Sequence, residues 1–229
     1  MQTVTIEEQE ESRATASEQV VAVLAAAQRE RTPRLHNHTY DVAELAVAVG
    51  RRTGLDSDEL TLLAQAAELH DIGKLAIGDS IMEKPGPLNE DELATARQHP
   101  VVGERIIAAA PDLESVAGIV RSSHERYDGS GYPDGLAGDE IPRLSRIILV
   151  CDAFCAMTRP RPFSEPVTPR EALFELRRCA GAQFDPAIVT AFRQTLAAGG
   201  PGPADAACLT RHRRGLRGPL APRTVGSEA

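Results

Sequence analysis

Histidines and carboxylates recur at points where the chain is otherwise apolar. Two carboxylates stand in such settings, because Asp71 follows His70 directly and Asp152 lies in the apolar run 147–154. A buried carboxylate is very costly unless it meets an ion, a basic side chain or several donors. A cluster of imidazoles and carboxylates suits divalent iron, manganese or zinc better than calcium or magnesium. Four of the six histidines stand at predicted helix positions facing apolar neighbours: His38, His70, His99 and His124.

A lysine adds to this pattern. On a continuous helix His70 and Asp71 would point about a quarter-turn apart, so that they could address neighbouring ions. Lys74 would lie one turn beyond His70 and could neutralise a phosphate or protonate a leaving oxygen. Any one histidine alone is more often a hydrogen-bonded core residue, so the inference rests on their joint occurrence. Together these residues indicate metal-assisted hydrolysis of a phosphate ester.

A loop rich in glycine and proline follows one of these histidines. It runs from His124 to Gly135 and is called the GYP loop below. Gly129 and Gly131 allow backbone angles that other residues resist, and Pro133 fixes one φ angle and removes a donor. Such a loop lets the backbone approach a ligand, although this composition alone is most often that of a surface loop.

The composition indicates a helical protein in a reducing compartment. Aromatic residues make up only 3% of the 229 residues and Trp is absent, so Ala, Leu, Val and Ile must fill the core. The net charge of -8 argues against a general nucleic-acid surface. The four cysteines show no CxxC spacing, and no apolar run reaches membrane-spanning length. We expect a cytoplasmic protein that binds neither nucleic acid nor a membrane.

The hydrophobic periodicity predicts helices and no strand, so the expected fold class is all-α. We expect an acidic disordered N-terminus over residues 1–16, a helical domain over 17–197, and a tail rich in Gly, Pro and Arg over 198–229. Capping boxes and first-turn prolines indicate where several helices begin. The predicted start signals are Asp56 with Glu59, Asn89 with Glu92, Pro100, Asp112 before a helix reaching His124, Thr168 with Pro169 and Glu171, and Asp185 with Pro186.

The motifs in this order resemble those of a known family. HDIGK occupies residues 70–74, HP occupies 99–100, and DGSGYPDGL occupies 128–136. This pattern is similar to the HD-GYP subgroup of the HD metal-dependent phosphohydrolase superfamily, over roughly residues 17–196. The dipeptide HD alone is a weak signal, whereas the three motifs in this order and spacing are a strong one.

The resemblance implies a single HD-type helical bundle with two divalent transition-metal ions, iron or manganese first and zinc as the alternative. It implies a phosphodiesterase that hydrolyses cyclic di-GMP to pGpG or GMP in bacterial second-messenger signalling. Asp71 would bridge the ions, and Asp71 and Lys74 would be catalytic. By position, the metal ligands would be His38, His70, Asp71, His99, His124 and Asp152. The residues contacting substrate would be Lys74, Gly131, Tyr132, Pro133 and Arg161.

The chain departs from the family pattern at four positions. Ser123 replaces the first of two consecutive histidines, and serine is a poor ligand for these metals. Arg34 stands where three-metal members have a glutamate, Cys155 replaces an aspartate, and Ser164 replaces a basic residue. One alternative is therefore a degenerate module that binds a cyclic dinucleotide or a diguanylate cyclase-type protein without hydrolysis. Another is an HD phosphohydrolase acting on a different nucleotide or phosphate ester. The chain could also form a homodimer.

Overall fold

The structure is a computed structural model that describes the backbone of residues 6–31, 33–159 and 165–200. Within these ranges the chain forms α-helices and short 3-10 turns without a strand, which confirms the predicted all-α class. The α-helices are α1 (Ile6–Arg31), α2 (Pro33–Arg52), α3 (Ser57–Leu69), α4 (Asp79–Met82), α5 (Glu90–Ala96), α6 (His99–Ile107), α7 (Glu114–Arg121), α8 (Arg143–Thr158), α9 (Pro169–Arg178) and α10 (Pro186–Ala197).

The predicted helix starts are mostly confirmed by the capping hydrogen bonds. The Asp56 carboxylate accepts hydrogen bonds from the backbone N–H groups of Asp58 and Glu59, at 3.0 and 2.9 Å, and the Glu59 carboxylate accepts one from the Asp56 N–H. These bonds satisfy amides that the first turn of α3 leaves without a partner. The same reciprocal boxes start α5 at Asn89 with Glu92 and α9 at Thr168 with Glu171.

The start of α7 differs from the prediction. Asp112 lies inside a 3-10 turn, Pro111–Leu113, and makes no capping hydrogen bond among the residues described. The helix also ends early, at Arg121, so that His124 lies three residues beyond it. The Ser123 hydroxyl donates to the Val120 carbonyl at 2.8 Å, and a serine that bonds locally to the backbone competes with helix continuation.

The N-terminal segment is also more helical than predicted. Residues 6–16, expected to be disordered, form the first part of α1. Glu, Gln and Ala are good helix formers, and acidic residues near a helix N-terminus complement its dipole. Residues 1–5 and the predicted tail beyond residue 200 lie outside the described residues.

Aliphatic residues from several helices form the core, as the low aromatic content predicts. Central to it are α2, α3 and α8, whose contacts bury Leu63, Leu69 and Ile148 completely. The core includes one aromatic pair, Phe154 of α8 and Phe192 of α10, with ring centroids 4.9 Å apart. In the described part of the chain, no helix is both long and apolar enough to cross a membrane.

Candidate metal centre

The HDIGK motif lies where an α-helix gives way to a 3-10 helix. Helix α3 ends at Leu69, His70 is its C-cap, and a 3-10 helix follows at Ile72–Ala76. The prediction of a continuous helix was therefore wrong here. Residues three apart eclipse each other in a 3-10 helix, so Lys74 meets Asp71 instead of standing beyond His70. The Lys74 Nζ lies 2.6 Å from Asp71 Oδ2.

Two glycines allow α6 to approach this 3-10 helix. A Cβ added at Gly73 would lie 1.9 Å from the His99 carbonyl oxygen and 2.6 Å from the Gly103 nitrogen. Only glycine fits such a backbone-to-backbone contact. The contact sets the first turn of α6 against the HDIGK motif, and His99 Nε2 comes to lie 3.5 Å from Asp71 Oδ1.

Backbone carbonyls orient two of the imidazole rings. The Nδ1 atoms of His70 and His99 each lie 2.8 Å from the carbonyl oxygen three residues earlier. A carbonyl only accepts, so each Nδ1 carries the proton and donates it. Each Nε2 then carries a lone pair and lies close to Asp71, at 3.6 Å from Oδ2 for His70 and 3.5 Å from Oδ1 for His99. This is the arrangement by which proteins fix the tautomer of metal-binding histidines.

His124 and Asp152 approach from other parts of the fold. His124 Nε2 lies 4.0 Å from Asp71 Oδ1, and its ring meets that of His99 edge-on with centroids 4.6 Å apart. Asp152, on α8, places Oδ1 at 3.9 Å from His70 Nε2. The structure thus brings together five of the six predicted ligands. They are called the histidine–aspartate cluster below: His70, Asp71, His99, His124 and Asp152.

The cluster has the properties of a metal site. Asp71 Oδ1, His99 Nε2 and His124 Nε2 are buried and make no hydrogen bond within the described part of the chain. One ligand atom from each of these three residues lies within 4.8 Å of the other two. Buried polar atoms are normally satisfied, so three converging exceptions require an explanation. A divalent transition metal, which accepts both imidazole nitrogen and carboxylate oxygen, fits this donor set.

The electrostatics hold the cluster in the protonation state that a metal needs. Burial alone would raise the pKa of Asp71, but Lys74 and the neighbouring histidines outweigh it and hold that pKa well below its usual range. Burial, followed by the charge of His99, lowers the pKa of His124 to about 3. Burial likewise lowers the pKa of His99. At neutral pH Asp71 is therefore a carboxylate, and His99 and His124 are neutral imidazoles, so metal binding requires no proton release from these three groups.

The buried imidazole of His124 should make the stability of the metal-free protein depend on pH. His124 has a pKa of about 3 when folded, against 6.5 as its ordinary value. Between these values the unfolded chain binds a proton that the folded chain excludes, so the free energy of unfolding falls as the pH falls below about 6.5. The slope is up to about 1.4 kcal/mol per pH unit for this one group. Urea unfolding in EDTA between pH 7 and 5 measures it. His124→Gln should flatten the dependence, and an identical slope in wild type and variant would contradict the assignment.

A buried glutamate organises the GYP loop. Glu125 Oε1 accepts hydrogen bonds from the backbone N–H groups of Asp134 and Gly135, at 2.6 and 3.1 Å. The loop also folds back closely on itself, since a Cβ at Gly131 would lie 2.2 Å from the Arg126 nitrogen. Glu125 was not predicted as a site residue. Its position directly after a candidate ligand, inside the motif, was the available signal.

An arginine joins the GYP loop to two helices. Arg121, the last residue of α7, forms a bidentate pair with Asp134 at 2.7 Å for both bonds. It also bonds to Glu104 of α6 at 2.5 Å. A two-bond fork fixes orientation as well as distance. Arg121 was not predicted, because the bond partners lie 13 and 17 residues away and no local pattern reveals them.

The structure describes fewer contacts for the remaining predicted site residues. The ring of Tyr132 stacks on His124, with centroids 5.4 Å apart and planes within 3°. Gly131 and Pro133 flank it in the GYP loop, and within the described ranges neither makes a hydrogen bond to the cluster. His38 lies on the backbone of α2, but its side chain is outside the described residues, and Arg161 lies outside them altogether.

Comparison with known proteins identifies the family of the chain. The sequence model of the HD domain family matches residues 20–188. The chain is 41% identical over 152 residues to the cyclic di-GMP phosphodiesterase response regulator RpfG of Xanthomonas campestris pv. campestris (strain 8004), which covers 66% of this chain and 40% of that protein. It is 38% identical over 176 residues to a cyclic di-GMP phosphodiesterase of Thermotoga maritima. That match covers 76% of this chain and 48% of the relative. The chain thus spans less than half the length of either relative.

A solved structure supports the fold independently. The crystal structure of a cyclic GMP-AMP specific phosphodiesterase of Vibrio cholerae matches with a TM-score of 0.65 at 20% identity, over 85% of this chain and 53% of that one. At this identity the likeness concerns the fold alone. With the family match over most of the helical region and the HDIGK, HP and DGSGYPDGL motifs assembled as described, the chain belongs to the HD domain family, which confirms the resemblance recognised in its sequence.

Proposed function

We propose that this domain is a metal-dependent phosphodiesterase that hydrolyses cyclic di-GMP to pGpG or GMP. The observation that carries the proposal is the convergence of Asp71 Oδ1, His99 Nε2 and His124 Nε2, which are buried and make no hydrogen bond within the described residues. The relatives that are named cyclic di-GMP phosphodiesterases support the choice of substrate. We also propose a cytoplasmic location, where a bacterial second messenger is found.

The proposed cofactor is a pair of divalent transition-metal ions, iron or manganese first and zinc as the alternative. The two oxygens of Asp71 face different imidazoles: Oδ2 lies 3.6 Å from His70, and Oδ1 lies 3.5 Å from His99. This supports a shared carboxylate between two ions. When bound, such ions polarise a phosphodiester and lower the pKa of a bound water. The proposed ligands are His38 and the five residues of the histidine–aspartate cluster.

The residues of the chain itself supply charge and orientation. Lys74 pairs with Asp71 and keeps its side chain 24% exposed, so its ammonium can reach a phosphate or leaving oxygen from the solvent side. Arg161 is proposed as a second phosphate contact. Tyr132 covers His124, and burial raises the pKa of Tyr132 to about 12, so the phenol stays protonated and can donate a hydrogen bond.

A degenerate binding module is the second candidate, and one observation favours it. Ser123 is buried and its hydroxyl is engaged by the Val120 carbonyl at 2.8 Å, so it adds no ligand to the cluster. In this candidate the domain binds a cyclic dinucleotide or a diguanylate cyclase-type protein, or pairs with a second copy, without turnover.

The test combines metal analysis with a substrate panel. Protein reconstituted with iron or manganese is incubated with cyclic di-GMP, another cyclic dinucleotide and mononucleotide phosphate esters, and products are separated by chromatography. The proposal expects bound metal and conversion of cyclic di-GMP. Binding without conversion would establish the degenerate module, and conversion of a different ester alone would move the activity to that substrate.

Ser123 itself gives a prediction. Because its hydroxyl bonds to a backbone carbonyl, Ser123→Ala should leave metal content unchanged and cyclic di-GMP turnover within about threefold of wild type, since a single neutral hydrogen bond contributes about 1 kcal/mol to stability and nothing to the cluster. Parallel rates for wild type, Ser123→Ala and Ser123→His measure this. A large loss in Ser123→Ala would show that the hydroxyl takes part in the site. Activity that appears only in Ser123→His would identify the natural chain as degenerate.

A further inference from the structure

Arg97 lies at the edge of the site but is not among its predicted residues. It is the C-cap of α5, two residues before His99, and its backbone N–H donates to the Leu93 carbonyl at 2.9 Å. Its guanidinium carbon lies 5.5 Å from the centroid of the Tyr132 ring. That ring in turn stacks on His124 of the histidine–aspartate cluster. A continuous series of contacts therefore joins Arg97 to the candidate metal centre.

No carboxylate pairs with Arg97 among the residues that the structure describes. Neighbouring basic groups each have a carboxylate: Lys74 pairs with Asp71, Arg121 with Asp134 and Glu104, and Arg126 with Asp128. Arg97, by contrast, is exposed and forms no ion pair or side-chain hydrogen bond within the described ranges. The cation–π contact restrains its guanidinium plane without occupying its five N–H donors.

We propose that Arg97 is a substrate-binding residue that holds the part of the cyclic dinucleotide distant from the scissile phosphodiester. The inference rests on the proposed function and extends it. A guanidinium fork is complementary to two adjacent acceptor atoms. A cyclic di-GMP molecule presents such a pair in two places, the O6 and N7 atoms of guanine and the non-bridging oxygens of its second phosphodiester.

The position of Arg97 explains why it would act on binding and not on the reaction itself. Its guanidinium contacts the Tyr132 ring, and it is this ring that stacks on the candidate ligand His124. We therefore expect Arg97 to contact the substrate away from the reacting atoms. A contact of this kind, made equally to substrate and transition state, changes KM and leaves kcat nearly unchanged. It also needs no metal, so the contact should be measurable in metal-free protein.

The experiment measures cyclic di-GMP binding by titration calorimetry with EDTA-treated protein, and KM and kcat with manganese-loaded protein. Arg97→Gln should raise the Kd and the KM about tenfold, with kcat within about threefold, as expected for one charge-assisted hydrogen-bond pair. Arg97→Lys keeps the charge but loses the fork, and should recover only part of the affinity. Arg177→Gln on α9 is the matched control for the loss of one exposed positive charge and should change neither value.

Cyclic di-AMP separates the two sources of acceptors. A loss confined to cyclic di-GMP assigns Arg97 to the guanine edge, and an equal loss for both ligands assigns it to the second phosphodiester. Wild-type turnover with Kd and KM unchanged in Arg97→Gln would overturn this inference alone. If the wild type neither binds nor hydrolyses cyclic di-GMP, the proposed function fails, and this inference fails with it.

Discussion

Asp71→Asn is expected to remove cyclic di-GMP turnover and to lower the content of bound metal. Asp71 is the residue on which the cluster converges, since three imidazoles and Lys74 lie within 4.0 Å of its carboxylate oxygens. An amide offers one neutral oxygen in place of a carboxylate, and its nitrogen repels a cation. Loss of a residue that orients a metal ligand costs about 10–100-fold in affinity or activity, so loss of this shared ligand should exceed about 100-fold.

The measurement pairs elemental analysis with a chromatographic turnover assay on the reconstituted variant. Asp112→Asn is the control, because Asp112 is an exposed acid in a 3-10 turn and has no role in the site. It should retain metal and activity. Full metal content and a rate near that of wild type in Asp71→Asn would contradict the placement of Asp71 at the centre of the site.

Gly73→Ala is expected to have the largest effect on stability. The added Cβ would lie 1.9 Å from the His99 carbonyl oxygen, well inside contact distance, and the obstructing atoms belong to the backbone. Helix α6 must move away from the HDIGK motif, and His99 moves with it. Overpacking of this kind costs about 3 kcal/mol. The free energy of unfolding and the metal content should therefore fall together.

Urea unfolding and elemental analysis of purified Gly73→Ala test this coupling. The chain provides two matched controls. A Cβ at Gly78, five residues away, would meet nothing nearer than 3.7 Å, so Gly78→Ala should be close to neutral. Gly118, exposed within α7, has open space, and Gly118→Ala should stabilise by about 0.5–1 kcal/mol. Equal stability for Gly73→Ala and Gly78→Ala would show that the close contact is not a constraint.

Local chemistry accounts for the parts of the fold that the sequence predicts well. The boxes at Asp56 and Asn89 form as expected, because each satisfies amides that only a nearby side chain can reach. The predictions fail where one local preference competes with another. Asp112 does not cap α7. The helix ends before the turn at Ser122 and Ser123, so His124 lies outside it.

The candidate site was predicted by residue type, and its geometry was not. The pattern of histidines and aspartates indicated the residues that the structure brings together around Asp71. The contacts that hold them in place are long-range, such as Gly73 against His99 and Arg121 against Asp134. Such contacts join distant segments and leave no periodic signal in the sequence. The 3-10 geometry that pairs Lys74 with Asp71 was missed for another reason, since it differs from an α-helix by a single hydrogen-bond register.

One measurement tests the central claim most directly. Wild-type protein, reconstituted with manganese or ferrous iron and freed of excess metal, is assayed for bound metal and for conversion of cyclic di-GMP in the same sample. The site described here predicts about two bound ions per chain and the formation of pGpG or GMP, both abolished by EDTA. Absence of bound metal, or metal-loaded protein that leaves cyclic di-GMP intact, would contradict the proposed phosphodiesterase.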